Sequence, residues 1–157
     1  MDARPKVFAA TVAWRRRDEP FVGGRYSRAH TWEFDGGAVV PASSSPLSVP
    51  LPFSDAEAVD PEEAFVAAIS SCHMLFFLAF AAKRHWVIDS YTDQATGTME
   101  RNAQGHWAMT RVALRPLIEF AGEAPAQIDI DDLHREAHEE CYIANSVKCE
   151  IVVEAPE

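Results

Sequence analysis

DPEEAFVAAISSCHMLFFLAFAAKRH, residues 60–85, decides how the chain is organised. Asp60 is a helix N-cap, Pro61 suits the first helical position, and Glu62 and Glu63 fall in the first turn, where carboxylates favour the helix dipole. The closing Lys83-Arg84-His85 has the charge a C-terminus favours. Between them runs an almost wholly apolar helix holding one thiol, Cys72. Residues 64–82 approach the length of a membrane span. They include Ser70, Ser71, Cys72 and His73, and no second span follows, so a buried central helix of a globular protein is the better reading.

Working outward, KVFAATVAW (6–14) reads as a first strand, YSRAHTWEF (26–34) as a second and AVV (38–40) as a third. Turns separate them at Val22-Gly23-Gly24 and Asp35-Gly36-Gly37. Residues 41–60, rich in Pro and Ser, form a long ordered surface loop, a type that is often functional. After the helix, SYTDQATGTME (90–100) and HWAMTRVALRPLIEF (106–120) form a hairpin about Asn102-Ala103-Gln104-Gly105. DIDDLHREAHEECYIA (129–144) is a second helix with an acidic start. SVKCEIVVE (146–154) is a last strand with Val147, Cys149, Ile151 and Val153 on one face. The order is three strands, helix, two strands, helix, strand: an α+β fold with a mostly antiparallel sheet, in one domain spanning 1–157.

The totals narrow the function. With 157 residues, 48% hydrophobic and 24% charged, the chain can bury an ordinary core. A net charge of −10 disfavours nucleic acid or an anionic membrane as partner, since both select basic surfaces. The one basic run, Arg15-Arg16-Arg17, is followed at once by Asp18 and Glu19. MDARPKVFAA has no apolar run of signal-peptide length, which makes a cytoplasmic location the expectation. Three cysteines in such a chain are not a structural disulfide framework, and no CxxC pair occurs.

Cys149, on the apolar face of the last strand, reads as core packing. For Cys72 and Cys141, spacing leaves packing and chemistry both open. His134, His138 and Cys141 share one helix face, and zinc takes N and S ligands, so a metal-binding domain is one alternative. Two solvent-facing histidines on an amphipathic helix would explain the pattern equally well, and no fourth ligand is apparent. Ser70 and Ser71 lack the Gly-x-Ser-x-Gly setting of a serine hydrolase. A non-catalytic small-ligand carrier, with Cys72 merely packed, is a further alternative.

DPEEAFVAAISSCHM and the later CYIANSVKCEI together resemble the OsmC/Ohr family of thiol-dependent hydroperoxide reductases. The resemblance runs over essentially the whole chain in the same element order. It implies the OsmC-like fold, β3-α-β2-α-β with the sheet packed on the central helix, in an intertwined homodimer. It further implies a peroxidase that reduces organic hydroperoxides in oxidative-stress defence, with a dithiol reductant such as a lipoyl-type donor and no cofactor or metal. Cys72 matches the peroxidatic cysteine, Cys141 the resolving cysteine and Glu62 the carboxylate of the Pro-Glu motif. Two residues compete for the catalytic arginine. Arg25 follows Gly23-Gly24 as in organic hydroperoxide resistance proteins. Arg28, in YSRAH, suits the OsmC-like branch and is preferred. The loop YIANSV departs from the Pro-Tyr-Ser-Asn type, and Cys149 is an extra thiol.

The chemistry is coherent. Only a thiolate attacks the O–O bond, and a guanidinium held by a carboxylate favours that form. A second thiol then condenses with the sulfenic acid before over-oxidation. Phe65, Ile69, Leu75 and Phe76 are expected to favour an alkyl or lipid hydroperoxide. Glu62 and Cys72 lie about 15 Å apart on a straight helix, at 1.5 Å per residue, which points to a site completed by a second chain.

Overall fold

The computed structural model describes residues 4–156. The chain divides into two compact units, one ending at Ala64 and the other beginning at Phe65.

The first unit is a three-stranded antiparallel sheet: β1 (Ala10–Ala13), β2 (His30–Phe34) and β3 (Val39–Ala42), with β2 in the middle. Ala10 stands opposite Phe34 and His30 opposite Ala42. β1 and β2 are shorter than the alternation predicts. The β2–β3 turn closes with Gly37 at φ +89°, a conformation that favours glycine. The Pro/Ser-rich loop is built on its serines. Ser43 Oγ accepts from the Asp55 N–H at 3.0 Å, and Ser54 Oγ donates to the Val49 carbonyl at 2.7 Å. Ser43, Ser45 and Ser54 are consequently buried, with side chains replacing the missing ladder partners.

α1 spans Pro61–Lys83. Its start is a reciprocal capping box: Asp60 Oδ1 accepts from the Glu63 N–H, and Glu63 Oε1 accepts from the Asp60 N–H, both at 2.8 Å. Glu63 is thereby used for capping, while Glu62 is left outside the box. α1 has the length and apolar composition of a membrane span. Within one chain it buries the stripe Ile69, His73, Phe77 and Ala81, whereas Leu75 is 59% exposed. Within one chain the expected burial of this central helix is therefore met along one stripe only.

In the second unit the expected single hairpin is divided into two strand pairs. β4 (Ile88–Asp93) pairs with β7 (Pro116–Phe120), and β5 (Thr96–Arg101) pairs with β6 (Trp107–Leu114), all antiparallel. The physical cause lies at the break. Asp93 Oδ1 accepts the Arg115 N–H at 2.6 Å, Ser70 Oγ donates to the other carboxylate oxygen, and Pro116 has no N–H to continue a ladder. The order β3-α-β2-α-β holds, with each of the two strands after α1 divided in two at this break. α2 spans Gln127–Glu140, followed by a 3-10 turn at Ala144–Ser146. β8 (Glu150–Val153) joins β6 in parallel, the one parallel pairing of named strands among the described residues. Two apolar clusters hold this unit together. Phe77 and Ala81 pack with Leu133 and Ala137 of α2, and Ile69 packs with Val112 and Leu114 of β6.

Candidate functional site

The two units each carry half of the expected chemistry. In the first, a pocket of about 490 Å³ is lined by Val12, Trp14, Phe21 and Tyr26, with Arg28 and Glu62 as its charged groups. Its aromatic wall is self-supporting: Phe21 and Tyr26 stack at 4.7 Å, and Trp14 meets Tyr26 edge-on at 5.4 Å. The Arg28 guanidinium lies 3.8 Å from the Tyr26 ring centroid and donates to the Gly24 carbonyl at 2.6 Å. Gly24, at φ +75°, permits this turn, and a Cβ there would stand 3.5 Å from Arg28 Nη2. His30 is oriented by two hydrogen bonds. Nδ1–H donates to the Arg28 carbonyl at 2.7 Å, and Nε2 accepts from Trp32 Nε1 at 3.1 Å. Arg25 is exposed. Of the two candidate arginines, Arg28 shares the pocket with Glu62.

In the second unit Cys72 and Cys141 meet. Cys72 is half-buried on α1; Cys141 is fully buried at the C-cap of α2. Both are free thiols, and Cys72 lies close enough to Cys141 to shift its proton affinity. Burial first, then the neighbouring Cys72 thiol, pushes the Cys141 thiol up to about 11, partly offset by the Ala144 N–H at 3.4 Å. Asn145, in the departing YIANSV loop, closes α2: its side-chain amide donates to the Glu139 and Cys141 carbonyls. Cys149 packs against the Ile69 cluster, and burial raises its thiol. Of the four apolar residues expected to line a substrate pocket, Ile69 is fully buried core and Leu75 is exposed. Phe76 packs edge-on to Tyr142 at 4.9 Å.

The expected His134-His138-Cys141 face does not converge. Among the described residues no three His, Cys, Asp or Glu side chains are arranged to hold a metal ion. His138 is exposed, but His134 is 8% exposed and turns inward. There its Nδ1 lies 2.9 Å from Nε2 of His73, itself 1% exposed. This pair is absent from the sequence-based site. The available signal is the placement of His134 with Leu133, Ala137 and Cys141 on the apolar face of α2.

Burial holds both histidines down, each to about 4; His134 and His138 depress His73 further, whereas Asp131 and Asp93 partly oppose the shift at His134. A folded pKa below the free value near 6.5 means that the unfolded chain binds the extra protons first as pH falls. The protein should therefore lose stability between pH 6.5 and 4, by on the order of 3 kcal/mol per histidine. Urea midpoints at pH 7 and 4.5 check this, and an unchanged midpoint would contradict it.

Two thiols in contact on two helices of an α+β fold define a protein with a spatially paired dithiol. The profile described as OsmC-like protein matches residues 54–155, and the chain belongs to the OsmC-like family. An OsmC-like protein of unknown function from Vibrio cholerae is 50% identical, with a TM-score of 0.93 over 96% of this chain and 99% of that one. An organic hydroperoxide resistance protein from Elizabethkingia anophelis shares the fold at 16% identity, TM-score 0.72, over 99% of each chain. One from Legionella pneumophila does so at 16% identity, TM-score 0.68, over 96% of each. No curated protein matches the sequence.

Proposed function

We propose that the protein is a cysteine-based peroxidase that reduces organic hydroperoxides in the cytoplasm as part of oxidative-stress defence. The observation that carries this reading is the contact between half-buried Cys72 and fully buried Cys141 in a chain of the OsmC-like family. The names of the Elizabethkingia and Legionella proteins support it.

The order of events follows from exposure. Cys72 is the reachable sulfur, so it attacks the peroxide, breaking the O–O bond, releasing the alcohol and becoming a sulfenic acid. Cys141 attacks that sulfenic sulfur next, giving up its thiol proton to the departing hydroxyl as the S–S bond forms. A disulfide forms and the hydroxyl leaves as water. A dithiol donor, such as a lipoyl-type one, then reduces the disulfide. Arg28, which shares its pocket with Glu62, stabilises the attacking thiolate and the departing alkoxide. The aromatic wall beside Arg28 suits an alkyl or lipid chain better than hydrogen peroxide.

Peroxide consumption with dihydrolipoamide as donor tests the proposal. Cumene hydroperoxide should be consumed at least tenfold faster than hydrogen peroxide at equal concentration. Equal rates would remove the organic-substrate reading, and no consumption of either would remove the peroxidase.

The arginine assignment has its own test. Arg28→Ala should slow iodoacetamide alkylation of Cys72 at pH 7 by about tenfold, the effect of about 1.4 kcal/mol of lost thiolate stabilisation. Exposed Arg25→Ala should change it less than twofold. Equal or reversed effects would transfer the role to Arg25.

A homodimer completes the reading. The uncovered apolar surface of α1 supports it, as do exposed Phe8, Val12 and Leu47 in the first unit.

A further inference from the structure

We infer that the His73–His134 hydrogen bond is a clasp that sets the spacing of Cys72 and Cys141, which makes both histidines positioning residues for closing the disulfide. The inference rests on the two-thiol reading above and adds what holds the thiols in register.

The placement is the first argument. His73 follows Cys72 directly on α1. His134 precedes Cys141 by seven residues, almost two full turns, which returns it to the same face of α2. The helix pair that must bring two sulfurs together is therefore joined a second time by a side-chain bond between rings whose planes lie within 12°. Around that bond the packing is apolar: Phe77 lies 4.4 Å from the His134 ring, and Leu133 and Ala137 complete the contact. Apolar packing alone tolerates small slides of one helix on another. A hydrogen bond near 2.9 Å does not, because it weakens steeply as its geometry departs from linear.

Energetics supply the second argument. Two imidazoles in a core cost desolvation that two leucines would not, so the pair is a poor choice if packing is the only demand. Disulfide closure makes the extra demand: Cα atoms within about 4.4–6.8 Å and a defined dihedral. The arrangement also fixes the proton. His73 Nδ1 is buried without a hydrogen-bond partner. An orphaned acceptor is more tolerable than an orphaned donor. His73 Nε2–H therefore donates and His134 Nδ1 accepts. The pair carries no net proton at neutral pH, so it acts through geometry and not as a base.

Matched variants of the full-length protein test this without peroxide. The Asn amide falls near the position of imidazole Nδ1, whereas the Gln amide lies one carbon further out. His134→Asn should retain the clasp and His134→Gln should displace it. His73→Leu/His134→Leu removes both nitrogens while leaving no buried polar atom unpaired. Each protein is equilibrated in mixtures of reduced and oxidised dithiothreitol, and the Cys72–Cys141 disulfide is quantified by peptide mass. His134→Asn should stay within threefold of the wild-type equilibrium constant. His134→Gln and the double variant should form the disulfide at least tenfold less favourably, a potential about 30 mV higher for this two-electron couple. Thermal unfolding of the reduced proteins serves as the control, with the double variant expected near wild type. A wild-type equilibrium in His134→Gln, or in a folded double variant, would overturn the clasp. Where the double variant does not fold, the His134→Asn and His134→Gln pair decides alone. A wild-type protein that forms the disulfide yet consumes no peroxide would remove the peroxidase and leave the clasp standing. One that forms no 72–141 disulfide would overturn the clasp.

Discussion

Cys141→Ser should consume about one equivalent of organic hydroperoxide per chain and then stall, with Cys72 advancing to sulfinic acid under excess oxidant. The reason is access. Cys141 is fully buried against Cys72, with its proton held by burial up to about 11, and it cannot compete with Cys72 for an incoming peroxide. Its placement suits the second step, where the target sulfur is already in contact and no diffusing thiol is needed. A serine hydroxyl cannot form the sulfur–sulfur bond, so the sulfenic acid persists. Burst stoichiometry and the mass of the Cys72 peptide read the outcome. Sustained turnover with a dithiol donor would mean that an external thiol resolves Cys72 directly. In the wild-type protein, peptide mapping after one equivalent of peroxide should give the 72–141 bridge. A 72–149 bridge would transfer resolution to Cys149.

Mixing two inactive variants, Glu62→Ala and Cys72→Ser, should restore activity after co-refolding, to about a quarter of the wild-type value for random pairing into two-fold dimers. α1 runs unbroken from Pro61 to Lys83, so Glu62 and Cys72 of one chain stand ten residues apart along it. That separation is about 15 Å, too far for a carboxylate to hold a guanidinium against the thiol of its own helix. If a partner chain supplies Arg28 and Glu62 to Cys72, each mixed dimer has one complete site and one doubly damaged site. If each chain serves itself, every site in the mixture lacks one residue and nothing recovers. Verified mixed dimers without activity, or a monomer in sedimentation at assay concentration, would rule out sharing.

How far these sites were legible in the sequence differs residue by residue. DPEE is readable because capping is local: Asp60 and Glu63 satisfy each other's N–H groups three positions apart, and the α1 boundary follows. The same stretch does not say that Glu63 is occupied in the cap while Glu62 faces the aromatic pocket, since that depends on strands 30 to 50 residues upstream. The Cys72 and Cys141 candidates came from a family resemblance, because spacing alone gives packed and reactive cysteines the same appearance. Alternation gives the hairpin as two unbroken strands, because the break in each is made from a distance, by Asp93 accepting the Arg115 N–H and by Ser70 of α1.

Local sequence sets where α1 begins and ends, which residues turn the β2–β3 connection, and the α+β order of elements. These depend on neighbours within a turn or two, where capping, dihedral preference and periodicity act directly. Contacts across the fold put Arg28 rather than Arg25 in a pocket with Glu62, bring Cys141 beside Cys72, and turn His134 inward to His73. His73 and His134 are 61 residues apart. A polar side chain on an apolar helix face has no local signature of its partner, because desolvation is repaid only by whichever group the fold brings against it.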